Sequence, residues 1–324
     1  MLGEAGVLGW VIPREYGGSS ISERELLSGY IQLASACLTT TFVLTQRNGA
    51  CGRVAASSNE WLKAELLPRL ARGELFATVG ISHLTTSRQH LRLPAVQVAE
   101  EISGYRFQGE VPWVTGADHA DYLVTGGTLA DGRQILAAIP SKQRGVVVEP
   151  PARLLALSAS HTSAVRLEDV LVERRYAVDG PVEKVMRQGS ASTGSLGTSA
   201  LAVGLSRAAL DHLAAEAATR PDLVPVRQPL GDECAALEET LLRSAEAGSP
   251  AGNPVLSSEA IRTRANSLAL RSTQALLAAS KGAGFVSGHF AERAVREAMF
   301  FLVWSCPAPV VAAALRELAG CANA

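Results

Sequence analysis

The sequence predicts an α+β fold in three successive regions: an N-terminal helical domain over residues 1–75, a middle antiparallel β-barrel domain over 76–178, and a C-terminal helical bundle over 179–324. Three observations predict it. Serine-led capping signals followed by apolar residues at helical spacing mark the first region. Short alternating runs broken by Gly and Asp turns mark the second. Long helical periods rich in small residues return in the third.

In the first region, "ISERELLSGYIQLASACL" opens with Ser22 and Glu25, the spacing at which each side chain serves the other's backbone N–H. Leu26, Leu27, Tyr30, Ile31 and Ala34 then recur on one helical face. A second start is expected at Ser57 and Glu60, before "WLKAELLPRLARGE", and the turn-rich "IPREYGG" precedes both. In the middle region, "YRFQGEVPWVTGADHADYLVTGG", "RQILAAIP", "GVVVEPP" and "SAVRLEDVLV" read as five to seven short strands, the spacing of a small antiparallel barrel or sandwich. The third region holds four or five helices: "SLGTSALAVGLSRAALDHLAAEAATR", "DECAALEETLLRSAEA", "SSEAIRTRANSLALRSTQALLAASKGAG", "HFAERAVREAMFFLVW" and "APVVAAALRELAG", with "AGSPAGNP" as a loop. Their Ala, Gly and Ser positions permit close helix packing.

Composition narrows the function classes. The 324 residues suit two or three packed units, and 47% hydrophobic against 19% charged content supplies their cores. A formal net charge of −1 with scattered Lys and Arg gives no electrostatic basis for binding nucleic acid or an anionic membrane. No apolar run approaches the roughly 20 residues of a membrane span. The start, "MLGEAGVLGWVIP", lacks a basic segment before its apolar stretch, so no secretory signal is expected. Five cysteines without a CxxC pair point to reduced thiols and a cytoplasmic location. Six histidines without HExxH spacing predict no metal site.

Several segments, in order along nearly the whole chain, carry a resemblance. "LGEAGVLGWVIPREYGGSSIS", "WLKAELLPRLARGE", "GYRFQGEVPWVTGADHADYLVTGG", "SASHTSAVRLEDVLV" and "KGAGFVSGHFAERAVREA" are similar to conserved stretches of the acyl-CoA dehydrogenase superfamily of flavoproteins. The resemblance implies that family's fold, a shortened leading helix, and a bound FAD whose ring lies between the β-domain and the bundle. It further implies that Trp113 flanks the flavin and Thr115 hydrogen-bonds near its N5. An indole is a flat apolar wall, and a hydroxyl can donate to or accept from the ring edge. By residue type alone, Trp113 reads first as a core residue of the barrel. "ISHLTTSRQH" stands where the family has "LTEP-AGSD"; Ser82 takes the Thr position and can offer a hydroxyl to the flavin pyrimidine, while His83 replaces Glu. Ser87 or Arg88 falls near the "GSD" end, and the segment by itself also reads as a polar loop. Gly282 and Gly284 of "KGAGF" fit a loop whose backbone N–H groups reach a pyrophosphate from a neighbouring subunit; locally they also fit a helix C-cap. Arg220 or Arg227 is a stand-in for the family's phosphate-binding Arg. The implied substrate is an acyl-CoA or acyl-carrier-protein thioester, and the implied assembly a homodimer or homotetramer.

The chain departs from the family at its base. Trp304, Ser305, Cys306 and Pro307 occupy the place of "YEGT", whose Glu removes the α-proton of the thioester. The other position used in the family, within "RQGSASTGSLGTSALAVGL", also lacks a carboxylate. Ser305 or Cys306 would need an adjacent base to act as a nucleophile, and His212 and His289 are the nearest candidates by element. The catalytic residues are therefore left unassigned. The expected activity is FAD-dependent oxidation or reduction at a CH–CH bond of an acyl thioester. The alternatives are a catalytically degenerate structural or ligand-binding subunit and a flavin-dependent hydroxylase-type relative.

Overall fold

Ser22 and Glu25 close the expected capping box: Ser22 Oγ accepts from the Glu25 N–H, and the Glu25 carboxylate accepts from the Ser22 N–H at 2.8 Å. The computed structural model describes residues 2–85, 94–187, 196–247 and 257–321, and in it this box starts α1 (Glu23–Ala36). Helices α2 (Leu38–Ala56) and α3 (Glu60–Ala71) follow. The cap of α3 is not Ser57. Asn59 accepts from the Leu62 N–H at 3.1 Å, while Ser57 Oγ donates to Val178 O at 2.6 Å.

Strands β1 (Ala77–Gly80), β2 (Val96–Glu100), β3 (Gly104–Val114), β4 (Tyr122–Leu129), β5 (Gln134–Pro140), β6 (Val146–Val148), β7 (Ser163–Glu173) and β8 (Ala177–Val182) form one sheet, and the short helix α4 (Ser82–Thr85) follows β1. The order is β6-β7-β3-β2-β4-β5-β8, with β1 paired to β4 off that path. This corrects the expected antiparallel barrel. The sheet is mixed, because β1 and β2 both run parallel to β4, and its strand path is open from β6 to β8. Alternation within a run reveals a strand but neither its partner nor its direction.

Successive residues of a strand face opposite sides. On β4 and β5, Leu123, Ile135 and Ile139 pack with Phe107, Val111 and Val165 of β3 and β7. Val124, Leu136 and Ala138 pack with Val54, Leu62 and Leu66 of α2 and α3. Burial on both faces explains why these strands read as nearly continuous apolar runs. The buried Arg47 clasps this part of the fold: Nη1 donates to Leu8 O at 2.8 Å and Nη2 to Leu70 O. These elements belong to one compact unit, comprising described residues within 1–21, 43–153 and 158–193.

The second unit comprises described residues within 22–42, 154–157 and 194–324. It contains α1, α5 (Leu196–Thr219), α6 (Val224–Ala247), α7 (Ser258–Gly284), α8 (Phe290–Met299) and α9 (Ala308–Leu318). α5 is buried along most of its first half and packs against α1, α6 and α7. Gly204 sets the approach of α5 to α1: a Cβ there would lie 2.6 Å from Ile31 O and 2.7 Å from Ala34 Cβ. Of the expected loop "AGSPAGNP", Ala247 is described, as the last residue of α6; the rest lies outside the described residues. Among the described residues, no helix is long and apolar enough to cross a membrane.

Candidate functional site

In the sheet unit, the candidate site begins with a bulge. Val111 pairs with Val165 and Val114 with Ser163, so β3 takes three steps where β7 takes two. The extra length holds Pro112, which has no N–H for the ladder, and Trp113. The bulge turns Trp113 outward, 51% exposed, so it is not the core residue its type alone allowed. Thr115 is buried just beyond. Its carbonyl accepts from Thr78 Oγ1 at 2.7 Å, and its Oγ1 lies 3.2 Å from Thr162 Oγ1, which is 2.8 Å from Ser160 Oγ. Either hydroxyl of each pair can donate, so the chain can reverse its polarity.

The turn carrying Ser82 lies against the same end of β3. A Cβ on Gly80 would sit 2.8 Å from both Val111 Cγ1 and Val114 Cγ2. Thr125 Oγ1 fixes this turn by donating to Gly80 O at 2.6 Å. Ser82 Oγ is buried and has no hydrogen-bond partner among the described residues. His83 is buried, with its ring Nε2 2.9 Å from Gly126 O. Ser87 and Arg88 lie outside the described residues. A half-exposed indole, an orphaned buried hydroxyl and a threonine backed by two more hydroxyls fit a flat ring with a polar edge.

In the helical unit, Gly282 and Gly284 fall inside α7. Lys281 leaves the helical conformation (φ 52°, ψ −145°), and Arg220 Nη1 donates to Ala279 O just before it at 2.5 Å. Neither glycine is a left-handed C-cap; that cap is Phe285, in a right-handed conformation. Gly284 is required by packing, since a Cβ would lie 2.6 Å from Ser280 Cβ. Gly282 is exposed, and a Cβ there meets nothing within 4 Å.

The "WSCP" corner is drawn into the bundle. Trp304 stacks on Phe300, centroids 4.9 Å apart, and meets Phe42 edge-on at 4.8 Å. Ser305 sits at φ 47°, and the Cys306 thiol donates to Phe301 O at 3.1 Å. Behind them, Arg262 is 3% exposed and donates through Nη2 to Trp304 O at 2.8 Å. Its Nε and Nη1 have no hydrogen-bond partner by geometry among the described residues, and burial pulls its pKa down to about 10, with the Cys306 sulfur as the opposing influence. Asn266 Nδ2 donates to Phe301 O at 2.8 Å. His212 stacks on Phe290 at 4.0 Å, and His289 caps α8 by accepting from the Ala291 N–H, so each histidine is engaged away from Ser305. Glu297 on α8 is a buried carboxylate; burial pushes its pKa up, against the nearby Arg293 and Arg296.

One cluster of ligand-bearing side chains was not anticipated from the sequence. His161 Nδ1 lies 2.7 Å from Asp118 Oδ2, and the His119 and His161 rings are 4.8 Å apart. Asp118 and His161 are 43 residues apart, beyond any spacing motif. The pairing of Ser163 with Val114 brings their loops together.

The family model "Acyl-CoA dehydrogenase, N-terminal domain" matches residues 1–74. The chain is 28% identical over 230 residues to "Probable acyl-CoA dehydrogenase YngJ" of Bacillus subtilis (strain 168), covering 68% of this chain and 59% of that protein. It is 27% identical over 129 residues to the L-prolyl-[peptidyl-carrier protein] dehydrogenase of Pseudomonas fluorescens, covering 39% of this chain and 34% of that one. The matched stretches thus span less than two thirds of these relatives. The solved structure of a glutaryl-CoA dehydrogenase from Mycobacterium smegmatis in complex with FADH2 shares the fold, with a TM-score of 0.84 at 17% identity over 99% of this chain and 86% of that one.

Proposed function

Starting from a chain that belongs to the acyl-CoA dehydrogenase superfamily, we propose an FAD-dependent oxidoreductase acting on an acyl thioester carried by CoA or by a carrier protein. The observation that carries this reading is Ser82, a buried hydroxyl without a described partner, beside the strand end that presents Trp113 and Thr115. When bound, FAD supplies a hydride acceptor next to the substrate carbon. Trp113 would wall one face of the ring, and Ser82 Oγ and Thr115 Oγ1 would serve its polar edge. The Thr115–Thr162–Ser160 hydroxyl chain lets Thr115 serve as donor or acceptor without orphaning a neighbour. The backbone around Gly282 and Gly284 serves a pyrophosphate, as the family resemblance implies, in a homodimer or homotetramer. The carrier-protein option is supported by the name of the prolyl carrier-protein relative.

One observation favours a second reading. Removal of an α-proton needs a base within hydrogen-bond reach. At Ser305 and Cys306 there is no carboxylate, and the thiol is already committed to Phe301 O. A hydroxylation using reduced flavin and oxygen, or a ligand-binding role, does not need that base.

The visible spectrum of the purified protein tests the main reading. Flavin bands near stoichiometric content support it; a colourless protein that takes up no added FAD refutes it. Anaerobic mixing with acyl-CoA and acyl-carrier-protein thioesters of several chain lengths then separates the two readings. Bleaching identifies a dehydrogenase, and a bound flavin that never bleaches favours the second.

A further inference from the structure

We propose that Asp118, His119 and His161 form a binding site for a divalent transition metal of the zinc type. Among the described residues, theirs is the one group of three or more His, Cys, Asp or Glu side chains whose ligand atoms all lie within 4.8 Å of one another. Two imidazole nitrogens and a carboxylate oxygen are ligands that zinc takes, with bonds of about 2.0–2.2 Å. Tetrahedral geometry with such bonds separates ligand atoms by about 3.3–3.6 Å. Both imidazoles flank the one carboxylate: His161 Nδ1 is 2.7 Å from Asp118 Oδ2, and His119 Nε2 is 3.8 Å from its other oxygen, Oδ1. His119, its side chain 67% exposed, can turn inward without disturbing the core.

The backbone beneath these side chains is already fixed. Asp118 and His119 lie on the turn Ala117–His119, and His161 follows the turn Ser158–Ser160. The Gly116 N–H reaches both Ser160 O at 2.9 Å and His161 O at 3.1 Å, which staples one turn to the other. The Thr115–Thr162–Ser160 hydroxyl chain adds a second staple. Gly116 itself is at φ 66°, where a Cβ would lie 2.9 Å from the Phe76 ring, so the staple has little room to move. Ligands on two pre-joined turns need only side-chain adjustment to close on an ion, unlike ligands on independent loops. Three protein ligands open to solvent leave a fourth position for water, the arrangement of an open zinc site. The site does not depend on the flavin reading. It does fix the turns that hold Thr115 and Thr162.

Calorimetric titration of the chelator-treated, full-length protein with Zn2+ tests the proposal. The expected result is saturable binding of one ion per chain, accompanied by a rise in the thermal midpoint. His119→Ala and His161→Gln should each weaken binding by about tenfold or more, the loss typical of disturbing a metal site. His212→Ala, on a histidine stacked against Phe290, should leave it unchanged. Both histidines of the trio are substantially solvent-exposed, so these variants should keep the wild-type melting curve without metal. The absence of saturable binding in the wild type overturns the proposal. So does affinity that is unchanged in His161→Gln, or equally reduced in His212→Ala.

Discussion

Replacing Ser82 by alanine separates a structural hydroxyl from a ligand-binding one. Ser82 Oγ is buried and unpartnered among the described residues. A polar group desolvated without a hydrogen bond costs about 1–3 kcal/mol. The lower end applies here, because the residue as a whole is only partly buried and its hydroxyl can rotate. Ser82→Ala removes that cost, so the ligand-free chain should gain about 1 kcal/mol. With FAD bound that gain is offset. The variant loses a hydrogen bond worth about 0.5–1.5 kcal/mol, and its Kd should rise about two- to twelvefold, since 1.4 kcal/mol is a factor of ten. Thermal melts of the ligand-free proteins and fluorescence titrations with FAD measure the two halves. Bound ligand stabilises each protein in proportion to the logarithm of its saturation excess, so the variant starts higher and gains less. A variant that melts earlier without ligand and binds FAD as tightly as wild type would refute the reasoning, because the hydroxyl would then be satisfied within the fold.

Gly204→Ala and Gly231→Ala should shift stability in opposite directions. Position 204 has no room between Ile31 O and Ala34 Cβ and should lose about 1–3 kcal/mol, whereas position 231, on α6 with nothing within 4 Å, should gain up to about 1 kcal/mol; urea melts of both decide it. Glu297 has its pKa raised by burial, so its contribution to stability is full below the unfolded value of about 4.3 and is lost as pH rises through the raised folded value. Glu297→Gln should therefore gain on wild type as pH rises through that window; a denaturation difference that stays flat or falls would contradict the assignment. Arg262→Met exchanges a buried guanidinium, two of whose nitrogens lack hydrogen-bond partners, for an apolar chain, and should be neutral or stabilising by up to about 2 kcal/mol. A loss above about 3 kcal/mol in the same urea melts would show that the guanidinium is fully paired.

What could be read from the sequence was local. The Ser22–Glu25 box needs only its own four residues, and it formed as expected. The start of α3 was misplaced because Ser57 is claimed by Val178, 121 residues away. The strands were legible from alternation, but the parallel pairing of β1 and β2 with β4 was not, and that pairing makes the sheet mixed rather than antiparallel. Trp113 illustrates the same limit within a site. Its type allowed a core residue or an exposed wall, and the choice rests on a bulge that Pro112 makes only when β3 meets β7. In "KGAG", glycine content suggested a loop or a cap, yet the positive φ falls on Lys281. The metal trio was hidden for the reason that hid the sheet topology: its members come together only through strand pairing.

The "WSCP" corner is more than a position missing its carboxylate. If serine had merely replaced glutamate, the surrounding groups would still be arranged to hold and desolvate a base. Instead the carbonyls of Phe301 and Trp304 accept from Asn266, Cys306 and Arg262, and the aromatic rings of Phe42, Phe300 and Trp304 pack together. A guanidinium beside the corner would hold any nearby carboxylate in its charged form and lower its pKa, which weakens it as a base. Restoring the glutamate alone would therefore place it in a field unsuited to proton abstraction. The corner is packed as a unit around its own carbonyls, so the proposed chemistry would draw its proton acceptor from elsewhere or need none.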